Sequence, residues 1–503
     1  MSMSLRFPVA GLLSALILAG CAVGPEYQRP DVAIPAAFKE ATLSPQAARQ
    51  WQTAQPSDAV ARGQWWRIFN DSTLDALQKQ AADANQDLKA AAARVRQARA
   101  LVHSAQSERL PDVDAGFGPS RQRTSGAAQG LPDDAAGSTQ TLWRAQAGVA
   151  YEVDLFGRVA AGVDAATADA QQSAALYESV KLALQADVAQ TYFALRRLDA
   201  ERALYRRTVQ LRSETLELVR QRYDAGDIDE LDVARSRSAL AAAQSQALAI
   251  ERQRSLTEHA LATLLGTTPA EFALDAAPIE RLPVRIPAGL PSSLLERRPD
   301  IAAAERAMAA ANARIGAAEA AFFPRLMLTG TFGYESADLG NLLQWSSRTF
   351  LLGPLVGTAL SLPIFDGGRR DAEVERARAR YEEDVAQYRQ TVLQAFREVE
   401  DGLASLRILD EQTEVQDAAV AQAERAAELS NVQYREGSIS YLDVLDADRE
   451  VLLQRRISVQ LDGERARAAV ALVRALGGGW SAHYDDAFAN SSPAHSRASL
   501  TRS

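Results

Sequence analysis

Residues 221–234 read QRYDAGDIDELDVA, and residues 432–445 read VQYREGSISYLDVL. The two stretches share a tyrosine, a glycine, an isoleucine and the run Leu-Asp-Val, always at an offset of 211 residues. A chain in which one short turn sequence occurs twice at such a distance is built from two structural repeats.

The shared glycines, Gly226 and Gly437, suit the left-handed backbone that ends a helix. Three residues later stand Asp229 and Ser440, whose side-chain oxygens can cap the helix that follows. Ser440 with Asp443 is similar to a capping box in which Asp replaces the usual Glu or Gln. Each copy therefore predicts the tip of a helical hairpin. The predicted tips span residues 223–233 and 434–446.

Long segments without proline lead into both tips. They run from about Ala160 to Arg222 and from about Arg369 to Arg435, and are rich in Ala, Gln, Glu, Arg and Leu. A helix of 63 residues, the length from Ala160 to Arg222, spans ~95 Å, whereas globular helices average near 11 residues, so these segments indicate a coiled-coil-like assembly. Shorter helices are predicted at roughly 71–109, 230–265, 300–321 and 441–475.

Segments of alternating polarity lie at the other end of each repeat. Residues 143–155 (WRAQAGVAYEVDL) place Trp143 and Val149 on an apolar face and Glu152 on a polar face, and residues 324–334 (PRLMLTGTFGY) alternate in the same way. Alternation of this kind is typical of a barrel strand between lipid and water, although a soluble sheet with one wet face gives the same pattern. Strands are predicted at about 111–123, 141–155, 324–336 and 348–365.

Four strands cannot close a membrane barrel by themselves. Past the N-terminus no stretch approaches 18 consecutive apolar residues, so any membrane crossing must be made by strands. Open sheet edges are not tolerated in lipid, which means that the chain must assemble. Three copies would supply twelve strands and a closed barrel, with the long helices continuing as a tube into the periplasm.

The N-terminus indicates a bacterial export signal. Arg6 precedes the apolar stretch Val9 to Ala19, which is too short to span a bilayer. The following Leu18-Ala19-Gly20-Cys21 resembles the lipobox of bacterial lipoproteins, in which the cysteine is diacylated and becomes the first mature residue; the alternative is an ordinary signal peptide with an incidental cysteine. Cys21 is the only cysteine in the chain, and Ala22 in place of Asp is similar to an outer-membrane address.

Composition excludes several other classes of protein. Among 503 residues the net charge is −9 without a polybasic run, which argues against nucleic acid as a partner. The four histidines lie far apart, so we predict neither a metal site nor a metal cofactor. No nucleophile, base and orienting group form a recognisable motif, and the Gly367-Gly368 pair is better explained as a strand-to-helix turn than as a phosphate loop. We therefore predict no enzymatic activity.

The order of elements and several motifs resemble the outer-membrane factors of tripartite efflux systems, which are TolC-like channels, and in particular their lipidated OprM/NodT branch. The motifs are QWWRIFND (64–71), RRPDIAAAERAMAAANARIGAAEAAFFPRL (297–326), LPIFDGGRRDAEVERARA (362–379), YREGSISYLDVLDADR (434–449) and ALGGGW (475–480). The resemblance implies a mainly α fold with membrane β-structure. It also implies a homotrimer with a twelve-stranded outer-membrane barrel, four strands from each chain, a long periplasmic α-helical barrel and a mixed equatorial domain.

The resemblance also implies a function. The trimer would be the passive exit duct for drugs or other small molecules, reached through a periplasmic membrane-fusion adaptor protein from an inner-membrane RND-type transporter. In this family the transporter selects the exported compound. A lipid-anchored periplasmic coiled-coil scaffold without a pore would use the same helices and the same lipobox, and remains the alternative.

In the family the periplasmic tips converge and acidic residues of the second tip ring the constriction. The matching positions are Asp443 and Asp446, which stand one turn apart on a single helix face and would form two carboxylate rings in a trimer. The alternative is that both only complement a helix N-terminus. Asp232, the counterpart in the first tip, is followed by Arg235 instead of a second Asp, so we expect it to face an adaptor or a neighbouring helix. The tip turns assigned to adaptor contact are Gly226, Asp232, Gly437 and Ser440.

These expectations divide the chain into six segments. They are a signal peptide (1–20), a lipid-anchored segment contributing to the equatorial domain (21–70), the first repeat (71–270), a Pro-rich equatorial connector (271–298), the second repeat (299–480) and a disordered tail (481–503).

Overall fold

The computed structural model describes residues 23–35, 37–41, 64–123, 132, 139–277, 279, 297–352 and 360–478. Seven α-helices and five strands lie in these ranges. The helices are α1 (Ser72–Ala84), α2 (Gln86–Ser107), α3 (Arg158–Asp224), α4 (Glu230–Leu264), α5 (Pro299–Ala320), α6 (Arg369–Arg435) and α7 (Tyr441–Ala475). The strands are β1 (Asp112–Arg123), β2 (Thr139–Val153), β3 (Arg325–Ser336), β4 (Arg348–Leu352) and β5 (Leu360–Ser361). None of the described helices has both the length and the apolar character needed to cross a bilayer.

The two repeats have helices of equal length. α3 and α6 contain 67 residues each, and α4 and α7 contain 35 residues each. At 1.5 Å per residue the longer pair spans roughly 100 Å. Both long helices end at the turns that the repeated sequence predicts.

One predicted helix is in fact two. The segment expected to run through 71–109 is broken at Asn85, whose backbone is extended (φ −60°, ψ 130°). The Asn85 side chain accepts a hydrogen bond from the Leu88 N–H at 2.9 Å and donates one to the Leu264 carbonyl at 2.9 Å, so it caps the start of α2 and ties it to the end of α4. A single Asn in a helical pattern is a weak breaker, and this one acts through a partner 179 residues away.

The strands form one antiparallel sheet in the order β1-β2-β3-β4, with β5 also paired to β3. The last strand was predicted over 348–365, but the described parts of it are only β4 and β5. Pro363 removes a ladder donor and the chain then turns through Gly367 and Gly368, whose φ angles are +69° and +86°, into α6. β1 and the β4/β5 strands are the two outer strands of this sheet.

The register places the predicted apolar faces of β2 and β3 on the same side of the sheet. Ala147 lies opposite Phe332 and Tyr151 opposite Leu328. On the other side Arg144 lies opposite Glu335, and the two side chains form an ion pair at 2.6 Å. The apolar side chains of β1 and β4 share the first side, because Phe117 pairs with Ala145 and Phe350 with Phe332.

The described chain divides into two compact units, and each is a discontinuous set of segments. The first comprises residues up to Val32, Ala92–Ala175 and Ala303–Gln390, and contains the sheet. Within it the N-terminal segment runs along the helices. The Val23 N–H donates to the Phe156 carbonyl at 3.2 Å, and the Asn312 amide donates to the Pro25 carbonyl at 2.8 Å. Gly24 has φ +142°, and a Cβ there would stand 2.6 Å from the Cα of Gly316. A side chain at Gly24 is therefore excluded by conformation and by space.

The second unit comprises Ala33–Ala91, Leu176–Ala302 and the chain from Thr391 onward. Its largest core contains Trp65, Trp66 and Phe69, packed among residues of α1, α3, α4, α6 and α7. The Trp65 indole N–H donates to the Gln185 side chain at 3.0 Å. The Asp71 carboxylate caps α1 and also accepts the Tyr192 hydroxyl at 2.5 Å. The motif that begins at Gln64 therefore places aromatic side chains in this core and a capping acid beside them.

Candidate functional site

The two tips have the same backbone hydrogen bonds. The Gly226 N–H donates to the Tyr223 carbonyl, and the Gly437 N–H donates to the Tyr434 carbonyl, at 2.9 and 3.0 Å. In each tip the next N–H reaches back five residues, which completes a Schellman motif. The glycines have φ angles of +82° and +76°, and a Cβ at either one would meet nothing within 4 Å. Backbone conformation alone accounts for glycine at both positions.

A small apolar core joins the tips within the second unit. Its buried members come from α3, α4 and α7: Leu216, Val219, Val233 and Tyr441. Tyr434, at the end of α6, stacks between this core and the Arg222 guanidinium, which lies 5.0 Å from the centre of its ring. Among the described residues no group forms a hydrogen bond with the buried Tyr434 hydroxyl. The tyrosines shared by the repeated sequences thus have unlike surroundings, since Tyr223 is exposed.

Asp443 closes the first turn of α7. Its carboxylate accepts the Ser440 N–H at 3.0 Å and the Ser440 hydroxyl at 2.7 Å. These hydrogen bonds, that from the hydroxyl first, hold the pKa of the Asp443 carboxyl below its usual value. Asp443 is therefore ionised at neutral pH, and it is a capping residue as well as a candidate gate residue.

Asp446 has a partner that the sequence analysis missed. The Arg449 guanidinium lies 3.0 Å from its carboxylate, one turn further along α7, and both side chains are more than half exposed. The spacing i, i+3 on a helix was the available signal for this pair. An exposed ion pair of this kind contributes little to stability, so Arg449 does not fix the Asp446 carboxylate firmly in place.

The side chains at the equivalent positions of the first tip make different contacts. Asp229 stands at the N-cap of α4, but its side chain makes no capping hydrogen bond, contrary to our expectation. Asp232 instead lies 3.4 Å from Arg235 on its own helix, and both are partly covered. Leu231, beside Asp232, is an exposed apolar side chain at this tip, with 56% of its surface accessible.

The predicted lipidation site, Cys21, is outside the described residues. No group of three or more metal-ligating side chains occurs in the part of the chain that the structure describes. The tips consequently bring together the candidate gate residues and the turn residues, and the chemistry they offer is that of charge and apolar contact.

Comparison with known proteins places this arrangement in a family. The outer membrane efflux protein family matches residues 77–267 and again residues 290–478, which together exceed half of the chain and correspond to the two repeats. The chain is 36% identical over 483 residues to the outer membrane protein OprJ of Pseudomonas aeruginosa, covering 94% of this chain and 96% of OprJ. It is 35% identical over 484 residues to the solvent efflux pump outer membrane protein SrpC of Pseudomonas putida, covering 95% and 99% of the two chains.

Solved structures show the same fold. The CmeC outer membrane channel of Campylobacter jejuni superposes with a TM-score of 0.85 at 25% identity, covering 92% of this chain and 96% of CmeC. The predicted TolC-like fold class is thereby confirmed, and so are the predicted efflux function and location in the outer membrane. This chain belongs to the outer membrane efflux protein family and is an outer-membrane efflux channel.

Proposed function

We propose that the channel is a homotrimer whose twelve strands close one barrel. The observation that carries this proposal is the sheet, which has a continuous apolar face and two outer strands, β1 and β4/β5. Within lipid every backbone N–H and C=O must be paired, so the outer strands need partners from other copies. The apolar face then contacts lipid, while the face with the Arg144–Glu335 pair lines the lumen.

The barrel and the helices together form a passive exit duct. A periplasmic adaptor protein delivers the exported compound from an inner-membrane transporter, and the channel performs no chemical step on it. SrpC, a relative of similar length, is the outer membrane protein of a solvent efflux pump. The adaptor contacts the tip turns at Gly226, Asp232, Gly437 and Ser440, where exposed Leu231 offers apolar surface.

The gate lies at the second tip. Asp443 and Asp446 stand one turn apart on α7, and in a trimer they would form two rings of three carboxylates each. Such rings favour cations and restrict anions. Arg449 offsets part of the charge at the Asp446 ring, so Asp443, whose hydrogen bonds come from Ser440 and not from a cation, supplies the stronger field.

The N-terminus carries a lipid on Cys21. Support comes from Val23, two residues later, whose backbone is hydrogen-bonded to Phe156 just beyond the end of β2. Val23 therefore lies at the junction of strands and helices, two residues along the chain from the proposed lipid. That junction lies at the periplasmic leaflet if the sheet crosses the membrane. Cys21→Ala should therefore abolish labelling with radioactive palmitate, and a labelled variant would refute the anchor.

Single-channel recording in planar lipid bilayers tests the proposed function. The purified protein should give stepwise conductance and migrate as a heat-sensitive trimer in electrophoresis. A lipid-anchored scaffold would bind membranes through Cys21 but give no conductance. A monomer without conductance would refute the proposed duct.

A further inference from the structure

The lipid-facing side of the sheet has a one-sided distribution of charge. By the register, this face carries the odd-numbered residues of β1 and β2 and the even-numbered residues of β3 and β4. Among these described strand positions only three are charged, and all three are arginines: Arg121, Arg123 and Arg348. They stand at the end of the sheet away from the helices, and the helix end of this face carries no charge.

Arg348 is held in place by the turn that precedes β4. Its Nε donates to the Trp345 carbonyl at 3.2 Å, and its guanidinium lies over the Trp345 ring. Tyr334 lies directly opposite it on β3. No acidic side chain among the described residues forms an ion pair with any of the three arginines.

Aromatic side chains lie on the same face, nearer the helix end of the sheet than these arginines. Phe350, two residues beyond Arg348 on β4, is 76% exposed, and Phe117 on β1 is 68% exposed. On the neighbouring strands Phe117 stacks against Trp143 with ring centres 6.1 Å apart. A guanidinium above an exposed apolar surface fits an amphiphile that has an anionic head and acyl chains.

The positions of the arginines favour a head with more than one anionic group. β1 and β4 are the outer strands of the sheet, so in the trimer proposed above Arg348 of one copy stands near Arg121 and Arg123 of the next, and three positive charges at one junction between copies exceed the charge of a single phosphate. In the orientation proposed above, the loop end of the sheet faces the outer leaflet of the outer membrane. The major lipid there is lipopolysaccharide, whose lipid A carries phosphates on a sugar head above several acyl chains.

We propose that this face is a binding site for the phosphorylated head of lipid A, with Arg121, Arg123 and Arg348 as its phosphate ligands and Phe117 and Phe350 against its acyl chains. The proposal rests on the orientation of the sheet given under the proposed function. Lipid A fixes the height of the barrel at the outer leaflet, because the arginines meet phosphate only at that depth.

The test measures binding of rough-type lipopolysaccharide to the purified trimer in detergent, by native mass spectrometry. The wild-type protein should bind it at least tenfold more tightly than the same lipid treated with phosphatase. A basic side chain near an anionic lipid contributes about fivefold in affinity, so replacing all three arginines by Gln should weaken binding ~100-fold. The matched control removes three exposed arginines of the first unit that lie on helices α2 and α6: Arg94, Arg96 and Arg376.

The outcomes separate this site from the duct. If the triple arginine variant binds as the wild type does, or if phosphatase treatment changes nothing, the lipid A site is refuted. If inorganic phosphate at millimolar concentration displaces the lipid completely, the arginines form a simple anion site and the proposal also fails. Conductance should be the same in the wild type, the triple variant and the control. If the wild-type protein gives no conductance, the proposed function is refuted, whatever the result for the lipid A site.

Discussion

Individual carboxylates in this protein differ in what surrounds them, and their surroundings determine what each can do. Asp443 is held by hydrogen bonds from Ser440, and Asp446 is paired loosely with Arg449. Asp384 on α6 is different, because only 8% of its surface is exposed. Of these three aspartates, Asp443 is a helix cap, Asp446 is one partner of an exposed ion pair and Asp384 is buried.

The double change Asp443→Asn and Asp446→Asn should alter selectivity more than stability. Asn keeps the shape and much of the capping capacity of Asp but removes the charge. In planar bilayers the cation preference should fall, and millimolar divalent cations added on the periplasmic side should no longer block the pore. Asp232→Asn is the control and should change neither property. A double variant with unchanged selectivity and block would mean that these residues are only helix caps.

Asp384 should make the stability of the trimer depend on pH. Burial raises the pKa of its carboxyl, against the opposing effect of Arg380 and Arg314 and with a contribution from Glu383. A raised pKa means that the folded state favours the protonated form, so this stabilisation is complete below the usual carboxyl range and is lost as pH rises through the raised pKa. Asp384→Asn should therefore raise the melting temperature at neutral pH, with a gain that vanishes towards acidic pH.

The control for this change is Glu383→Gln, since that side chain is two-thirds exposed and should move the free energy of unfolding by less than ~0.5 kcal/mol. Thermal unfolding followed by circular dichroism between acidic and neutral pH measures both variants. A less stable Asp384→Asn protein at neutral pH would show that the ion pair with Arg380 outweighs the burial of the charge.

At the scale of helices and strands, a few side chains fix where elements begin and which side they present. Arg298 precedes α5 and is 7% exposed. Its guanidinium contacts Asp300, Glu398 on α6 and the Ala475 carbonyl at the end of α7. The second arginine of the RRPD motif therefore joins three helices, a role that the resemblance to the family alone does not reveal.

Arg298→Met should destabilise this junction by about 2–3 kcal/mol, because the change removes charge-assisted hydrogen bonds from a buried group whose acidic partners are partly exposed. Arg297→Met, at the neighbouring exposed position, should have little effect. Chemical unfolding of the purified trimer measures the difference. Equal stability of the two variants would show that packing of the arginine stem, and not its hydrogen bonds, holds the junction.

Which face of β2 contacts lipid and which lines the lumen can be tested by placing arginine on each face. Val149→Arg would place a charge on the lipid face near mid-strand at a cost of ~2–4 kcal/mol per copy, so heat-resistant trimer should be greatly reduced in outer-membrane fractions. Gln146→Arg introduces the same side chain on the other face and should assemble normally, as should Glu152→Gln. Equal tolerance of both arginines would reverse the assignment of lumen and lipid.

For the whole molecule, the repeats predict how copies join. Asp112 and Arg325 occupy equivalent places, so the β2–β3 pairing of Val153 with Leu326 should recur between Ile364 of one copy and Val113 of the next. Both side chains are exposed in the single chain, at 91% and 65%. Cysteines at these two positions should form disulfides that link three chains. Cysteine at Phe365 in place of Ile364 points to the opposite face and should not form this link.

Periodicity was sufficient to predict much of this fold. The tips, the long helices and three of the strands depend on local patterns, namely left-handed glycines, proline-free helical segments and alternating polarity. The break at Asn85, the end of β4 and the role of Arg298 depend on partners far away in sequence. The Asp446–Arg449 pair, by contrast, is predictable from its i, i+3 spacing alone. Cys21 and most of the connector lie outside the described residues.

The matched helix lengths, 67 and 35 residues in both repeats, impose a rule on how this protein can change in evolution. Each residue inserted into one helix advances its tip by 1.5 Å and rotates everything beyond the insertion by 100°. An insertion in one helix alone would therefore leave the two tips at different heights and turned to different sides. Only the gain or loss of whole heptads in all four helices together keeps the tips level and their side chains pointing in the same directions. Each heptad changes the length of the helices by about 10 Å. The width of the periplasm that such a channel can serve is thus set in discrete steps.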